Sequence, residues 1–192
     1  MEMSVKEHNE RNARSKKMML WFAMISMFMV FAGLTSAYVV STSRPDWLKD
    51  FVLPDAFLIS TVIIIVSSIT FHFAKKAMQK NDRGTTTLML LATLVLGLAF
   101  VFAQFYGFQM VVENGYYFTG AESTVTTSFL YIVTVVHLAH LLAGLIVLLV
   151  IIYNHFKHKY TSTQTLGIEL GAMFWHFLDI LWVYLFLFFY FY

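Results

Sequence analysis

Long apolar stretches alternate with short polar ones along the whole chain. A helix that crosses a membrane needs about 20 mostly apolar residues in a row. Five stretches meet this requirement, at 18–40, 56–74, 86–108, 125–152 and 170–192. The pattern predicts an all-α polytopic membrane protein, a bundle of five transmembrane helices. Residues 1–17 form a polar tail, and 18–192 form one transmembrane domain whose short connections make consecutive helices antiparallel.

Lysine and arginine are unevenly divided between the two ends of these helices. Eleven of the 13 lie in the N-terminal tail and in the second and fourth connections, and two lie in the first connection. Cytoplasmic loops of membrane proteins carry the excess of positive residues. The N-terminus is therefore predicted to be cytoplasmic and the C-terminus to lie outside.

Composition agrees with a membrane protein and narrows the chemistry. The chain of 192 residues is 59% hydrophobic and only 12% charged, whereas a soluble domain is about one quarter charged. The absence of cysteine excludes thiolate metal sites and cysteine nucleophiles. The sequence has no glycine-rich phosphate loop and no nucleophile triad. No nucleic acid is expected among its partners.

Five ionisable residues lie inside the two last spans or, for Glu169, directly before the fifth. His137 and His140 are three positions apart, as are His176 and Asp179, so each pair shares a helix face. Glu169 lies two turns before His176 on roughly the same stripe. Because the fourth and fifth helices are consecutive and antiparallel, these polar faces can meet.

Three interpretations of this set compete. A carboxylate that accepts a hydrogen bond from an imidazole satisfies both groups where water is absent, so the five residues would form a buried structural cluster between helices. Histidine is also the commonest metal ligand, which leaves a haem or metal site open. A proton path is the third interpretation, although the outer half of the fifth helix offers only aromatic hydroxyls. We expect the structural cluster, with no catalytic, cofactor-binding or metal-binding residue.

Small and aromatic residues carry further expectations. Four glycines are expected to allow close approach of helices: Gly33, Gly97, Gly107 and Gly144. Four aromatic residues are expected to anchor the chain at the membrane interfaces: Trp21, Trp47, Trp175 and Tyr192. Ser67 and Ser68 are expected to bond their own helix or a neighbour.

The fifth span, ELGAMFWHFLDILWVYLFLFFY, closely resembles the last helix of subunit III of haem-copper terminal oxidases, the cytochrome c oxidase subunit III family. The matching residues there are Glu169, Trp175, His176, Phe177, Asp179 and Trp182. The fourth span matches through His137, His140 and Gly144, and the third through Gly97 and Gln104. The second span matches through Pro54, Ser67, Ser68 and His72, and the first through Ser26, Phe31 and Tyr38.

The resemblance implies an accessory, cofactor-free subunit of a bacterial aerobic respiratory oxidase. Haem and copper are then expected in partner subunits I and II, where oxygen is reduced and protons are pumped. Subunit III would pack beside the catalytic subunit I, stabilise it and support proton uptake. The implied location is the bacterial cytoplasmic (inner) membrane. Membrane lipids, other oxidase subunits and a respiratory supercomplex are the implied partners.

Two departures from the family pattern limit what carries over. The chain resembles a short bacterial form with five helices, without the first helix pair of the seven-helix members. In the long form the cleft beside that pair holds lipid, so bound phospholipid here would lie against an open face or a partner subunit. Many relatives have a glutamate right after the serine that corresponds to Ser26. This chain has Met27 there, so the role of that carboxylate does not carry over.

Several alternatives stay open at this stage. Within the family, the runner-up is the corresponding subunit of a quinol oxidase or an accessory subunit of a nitric oxide reductase, because other subunits bind the electron donor. A different class would be an independent haem- or metal-binding membrane protein that uses His137, His140 and His176. A secondary transporter would require inverted repeats and broken helices, which the sequence does not contain.

Overall fold

The computed structural model describes residues 5–44, 47–48, 53–120, 123–161 and 164–191. Within these ranges the chain forms five α-helices: α1 (Val5–Ser41), α2 (Asp55–Gln79), α3 (Arg83–Glu113), α4 (Val125–Phe156) and α5 (Leu166–Phe191). All five are long and apolar enough to cross a membrane. The predicted all-α class with five helices long and apolar enough to span a membrane is therefore confirmed.

The helices extend beyond the apolar stretches at several ends. Helix α1 begins at Val5, so most of the polar tail forms its first turns. Helix α3 begins after Asp82, whose carboxylate accepts the Thr85 backbone N–H at 3.1 Å. Helix α4 begins with a capping box between Thr124 and Thr127. The first backbone N–H groups of a helix have no partner inside the helix, and these side chains accept hydrogen bonds from them. The capping side chains therefore mark where each helix begins.

Helix α5 is the most enclosed element of the bundle. It contacts α1, α2 and α4, while α3 lies between α2 and α4. Helix α1 packs on α4 and α5, and within the described residues it contacts neither α2 nor α3. In the apolar window of each helix, 50% of the α5 residues are buried against 17% of the α1 residues. The polar residues of α5 therefore face other helices on most sides.

Trp175 lies at the centre of the bundle, not at a membrane interface. Its side chain is 1% exposed, so the expectation that it anchors an interface is wrong. A Cβ on Gly97 of α3 would lie 2.9 Å from its ring, and one on Gly144 of α4 would lie 3.5 Å from it. Both helices need glycine beside this indole, as predicted for close helix approach.

The other aromatic and glycine predictions have mixed outcomes. Trp21 is exposed on α1, whereas Trp47 packs edge-on against Tyr38 with ring centroids 4.6 Å apart. Tyr192 lies outside the described residues. Gly107 packs against the Phe57 ring, but a Cβ on Gly33 would meet nothing within 4 Å. The prediction of close helix approach is therefore wrong for Gly33, which faces outward.

Candidate functional site

The five ionisable residues expected to form one cluster occupy three separate places. His176 and Asp179 face α2, Glu169 faces α1, and His137 and His140 lie among aromatic rings of α1, α3 and α5. The spacing argument was correct that His176 and Asp179 share a face. The expectation that the polar faces of α4 and α5 meet is wrong, because the α5 pair is turned toward α2.

The first place lies between α2 and α5 at the middle of both helices. Ser68 Oγ and His176 Nδ1 share a hydrogen bond of 2.6 Å. His72, one turn further along α2, has its ring centroid 6.3 Å from that of His176. Ser68 therefore bonds a neighbouring helix, as the sequence predicted.

Asp179 lies beside this pair, and the Ser68 hydroxyl is the polar group that faces its carboxyl group. The residue is 3% exposed, and neither carboxyl oxygen has a hydrogen-bond partner among the described residues. Asp179 and Ser68 both line a hollow of about 290 Å³ between α2 and α5. A buried carboxyl group is costly in a membrane protein unless a polar group faces it, and the Ser68 hydroxyl lies on that side of Asp179.

The second place is the α1–α5 contact near the start of α5. Lys17 Nζ lies 2.9 Å from Glu169 Oε2, and the Thr165 hydroxyl donates to Glu169 Oε1 at 2.9 Å. Lysine from the polar extension of α1 thus neutralises the only carboxylate in the first turn of α5. This ion pair ties α1, the least buried helix, to the rest of the bundle.

The third place is an aromatic pocket around His137. The His137 ring is fully buried and packs on Trp182, with ring centroids 5.1 Å apart. Phe31 and Phe100 approach it edge-on. Its two nitrogens have no hydrogen-bond partner among the described residues, and His140 donates to the Val136 carbonyl of its own helix at 2.7 Å. These histidines act in packing rather than in a polar link to α5.

Two tryptophans of α5 make polar contacts that the sequence argument missed. The Trp175 indole N–H donates to Ser67 Oγ at 3.2 Å, and the Trp182 indole N–H donates to Thr61 Oγ1 at 3.0 Å. The tryptophans are seven residues apart and share a face of α5, whereas Thr61 and Ser67 are six residues apart on α2. Residues six apart point about 120° away from each other around a helix, so spacing alone gave no signal for this pairing.

The remaining family-motif residues support packing or lie on the surface. Gln104 of α3 donates to Ser60 Oγ of α2 at 2.7 Å inside the bundle. Tyr38 is enclosed by the rings of Phe129, Phe188 and Phe189, whereas Ser26 is exposed on α1. Met27 is partly buried against the core.

A wide apolar groove lies where α1, α4 and α5 meet. Its volume is about 620 Å³, and Met27, Ala143 and Phe174 are among the residues that line it. Tyr160 and Gly167 also border a neighbouring polar hollow that contains Lys17 and Lys159. Glu10 and Glu169 line the same hollow, so the groove passes from an apolar region into a mouth with charges of both signs.

The paired polar groups of the described residues join one helix to another. Among the described residues, no three histidine, aspartate or glutamate side chains converge in a way that could hold a metal ion. In particular, His176 lies on the α2 side of α5 while His137 and His140 lie toward α1 and α3. The three histidines of the alternative haem or metal site do not come together. The polar groups that are paired bind one helix to another.

Comparison with known proteins assigns the chain to a family. A family model described as cytochrome c oxidase subunit III matches residues 4–192. Cytochrome c oxidase subunit 3 of Corynebacterium diphtheriae is 32% identical over 166 residues, which cover 83% of this chain and 79% of that protein. The same subunit of Alkalihalophilus pseudofirmus is 29% identical over 93% of this chain and 89% of its own length.

A relative from a different kind of oxidase is similar to the same extent. Cytochrome bo(3) ubiquinol oxidase subunit 3 of Pseudomonas putida is 28% identical over 85% of this chain and 79% of its own length. The family model covers nearly every residue, and the described fold is a multi-pass bundle of five apolar helices. The chain therefore belongs to the cytochrome c oxidase subunit III family.

Proposed function

We propose that the chain is the accessory subunit III of a bacterial aerobic respiratory oxidase of the cytochrome c oxidase type. It packs beside the catalytic subunit I, stabilises it, and supports proton uptake while oxygen is reduced. Haem and copper belong to the partner subunits, and this chain holds neither. The assembled complex is an oxidoreductase that translocates protons. This chain takes part in that reaction only as one of its subunits.

One observation carries the proposal: the polar side chains paired inside the bundle are used between helices. His176 is bonded to Ser68 of α2, Glu169 to Lys17 of α1, and Trp175 to Ser67 of α2. A catalytic centre instead needs groups directed at a substrate space. Polar side chains that bond neighbouring helices hold the bundle in one arrangement. Such an arrangement supports the role of a scaffold on which a partner subunit packs.

The same proposal includes a location and an orientation. The positive residues favour a cytoplasmic N-terminus in the bacterial inner membrane. Because the chain has no cysteine, a single introduced cysteine reports its own side of the membrane. A thiol reagent that cannot cross the inner membrane is applied to cells whose inner membrane is intact. It is expected to label S43C, after α1, but not S15C. Labelling of S15C before the cells are lysed would show that the N-terminus lies outside and would contradict the proposed orientation.

Bound phospholipid is a further part of the proposal. The apolar groove between α1 and α4 has room for acyl chains, and Lys159 near its mouth suits the phosphate of a headgroup. Filling the groove with A143W is expected to lower the count of phospholipids that stay with the purified complex. V95W, on the outer face of α3, is the matched control. If A143W and the wild type retain the same number of phospholipids, the groove is not the lipid-binding site.

A quinol oxidase is the second candidate, and one observation favours it. The Pseudomonas putida relative is the corresponding subunit of a ubiquinol oxidase and is about as similar as the cytochrome c oxidase subunits. The identity of the co-purifying subunits separates the two candidates, since the electron donor is bound by other chains.

The experiment that tests the proposed function removes this chain from its oxidase. The host strain without the chain is expected to retain an oxidase with normal haem bands but with a lower yield and a shorter active lifetime during turnover. Oxygen consumption followed over many turnovers, at matched haem content, measures the lifetime. An oxidase of unchanged yield and lifetime would contradict the proposal, and so would restoration by an unrelated membrane protein.

A further inference from the structure

We propose that Gln104, Thr134 and His137 together bind a buried water molecule between α3 and α4. These three residues are named the buried polar site. The water donates to Gln104 Oε1 and to the acceptor nitrogen of the His137 ring, and it accepts from the Thr134 hydroxyl. All three side chains lie inside the bundle, at 0%, 1% and 0% exposure. The inference goes beyond the proposed function, because it concerns what joins two helices within this chain.

The first support is that each of the three side chains has a buried polar atom without a partner. Among the described residues, Gln104 Oε1, Thr134 Oγ1 and both ring nitrogens of His137 make no hydrogen bond. They are four of the seven buried side-chain atoms in this condition within the described part of the chain. Buried polar groups are normally paired with protein or with ordered water. Unpaired atoms that are concentrated in three residues therefore indicate a shared partner.

The second support is a pair of aromatic contacts that fixes how α3 and α4 lie against each other. The ring of Phe100 on α3 meets the ring of His137 on α4 edge-on, with centroids 6.4 Å apart. Two helical turns further along α3, Phe108 stacks on Tyr131 of α4 with centroids 5.1 Å apart. The α4 partner moves back along the chain as the α3 partner moves forward. The two helices are therefore antiparallel and in contact over the segment between these rings.

Gln104 and Thr134 occupy the same level within that segment. Gln104 is midway between the two phenylalanines of α3, and Thr134 is midway between the two α4 residues that contact them. Both side chains are buried, so both lie on the inner faces of their helices. His137 is one turn from Thr134 on the same face of α4. The unpaired atoms of the three residues are thus brought to one place in the core.

The hydrogen bonds around Gln104 determine which end of its amide faces the buried polar site. The Ser60 hydroxyl donates its single proton to the Phe57 carbonyl at 2.8 Å. Toward Gln104 the same oxygen can only accept, and it receives the amide N–H of Nε2 at 2.7 Å. The amide nitrogen therefore points to α2. The carbonyl oxygen Oε1 is left on the other side and requires a donor.

Thr134 differs from other threonines of the bundle in the same respect. The hydroxyls of Thr61, Thr86 and Thr93 each donate to the carbonyl four residues earlier in their own helix. A threonine in a helix commonly makes this bond. The Thr134 hydroxyl has no partner among the described residues, the Leu130 carbonyl included. It is therefore available to a group outside its own helix.

A water molecule matches the chemistry of this set. None of the three side chains bonds another through these atoms, and polar groups too far apart for a direct bond are commonly bridged by water. A neutral imidazole has one N–H donor and one acceptor nitrogen. The site thus offers both donors and acceptors, and a buried water typically makes about three hydrogen bonds. The site contains no carboxylate, so a cation suits it less well.

An experimental map of the protein, alone or within its oxidase, tests the site directly. The map must be sharp enough to show ordered waters elsewhere in the bundle. We expect a density peak at hydrogen-bond distance, about 2.7 to 3.2 Å, from both Gln104 Oε1 and Thr134 Oγ1. The absence of such a peak would overturn the proposal. A direct bond from the Thr134 hydroxyl to Gln104 or to the Leu130 carbonyl would overturn it as well.

Substitutions test the shared water by a second measurement. T134V keeps the shape of the side chain and removes the hydroxyl, while H137F removes the ring nitrogens. Each is expected to lower the ratio of folded to unfolded protein by about 2-fold to 10-fold, measured by denaturant titration in detergent. Because both changes remove bonds to the same water, the loss in T134V/H137F is expected to be smaller than the product of the two single losses.

A second pair of threonines is the matched control. Thr93 bonds the Met89 carbonyl and the Thr70 hydroxyl at another level of the bundle. The losses in T93V/T134V are therefore expected to multiply. A T134V/H137F loss equal to the product of the single losses would overturn the shared water, and so would a T134V variant as stable as the wild type. If H137F fails to fold, Q104M with T134V gives the same comparison across α3 and α4.

Discussion

The indole N–H of Trp175 donates a hydrogen bond to Ser67 Oγ at 3.2 Å, which joins α5 to α2 in the interior of the bundle. The same ring lies over glycines of α3 and α4. One side chain thus contacts three helices, and it fixes the distances among them. The stability of the bundle is therefore expected to depend more on this residue than on the histidines that stand out in the sequence.

Replacing Trp175 tests this expectation. W175A leaves a large cavity and is expected to lower the free energy of unfolding by about 3 to 5 kcal/mol. S67A removes only the acceptor of one hydrogen bond and is expected to cost about 1 kcal/mol. Denaturant titration in detergent, followed by circular dichroism, measures both. A W175A variant as stable as S67A would show that the indole does not organise the core.

Glycine substitutions on two helices make a matched pair. A Cβ on Gly144 would lie 2.8 Å from Leu178 Cδ1, while one on Gly33 would meet nothing within 4 Å. G144A is expected to destabilise the bundle by about 1 to 3 kcal/mol through overpacking. G33A is expected to be neutral or to stabilise α1 by up to about 1 kcal/mol, since alanine favours a helix over glycine. Thermal unfolding of the two variants gives the comparison, and equal shifts would contradict it.

The ion pair between Lys17 and Glu169 is expected to contribute modestly. Both side chains keep part of their surface exposed, and such pairs contribute about 0.2 to 1 kcal/mol. K17M and E169Q are each expected to loosen α1 by about this amount. The charge-reversed double variant K17E/E169K is expected to recover most of it. Protease sensitivity of the start of α1 is the measurement, and a double variant weaker than both single variants would exclude direct pairing.

Asp82 gives a pH-dependent prediction outside the membrane. Hydrogen bonds from the Thr85 side chain and backbone hold the pKa of the Asp82 carboxyl below its usual value. A lowered folded-state pKa means that the stabilisation is complete above the unfolded-state pKa and is lost as pH falls through the folded-state pKa. D82A is therefore expected to lower the unfolding temperature at pH 7 and to differ less from wild type near pH 3. A difference that grows on acidification would contradict the cap.

The positions of the helices could be predicted from the sequence because bilayer thickness imposes a length on each apolar stretch. The extension of α1 to Val5 could not be read this way, since its first turns contain Glu7, Arg11 and Arg14. These residues are good helix formers but add no apolar signal. Hydropathy therefore finds the membrane segment of a helix and not its polar continuation.

The candidate site was predicted only in part, for a physical reason. Residue spacing shows that His176 and Asp179 share a face of α5, but spacing within one helix carries no information about which neighbour that face meets. Trp175 has the position of an interface anchor in the sequence. Its burial depends on Gly97 and Gly144 of two other helices. Long-range pairs of this kind become visible only when the helices are packed.

The most direct test of the central claim is a pull-down through a tag on the N-terminus, in mild detergent, from the native host. The account predicts haem absorption bands in the eluate, together with large oxidase subunits identified by mass spectrometry. Those subunits also decide between cytochrome c and quinol as electron donor. A chain that elutes alone and without colour would contradict the role of accessory oxidase subunit. A chain that elutes alone but carries haem would show that its own histidines are ligands.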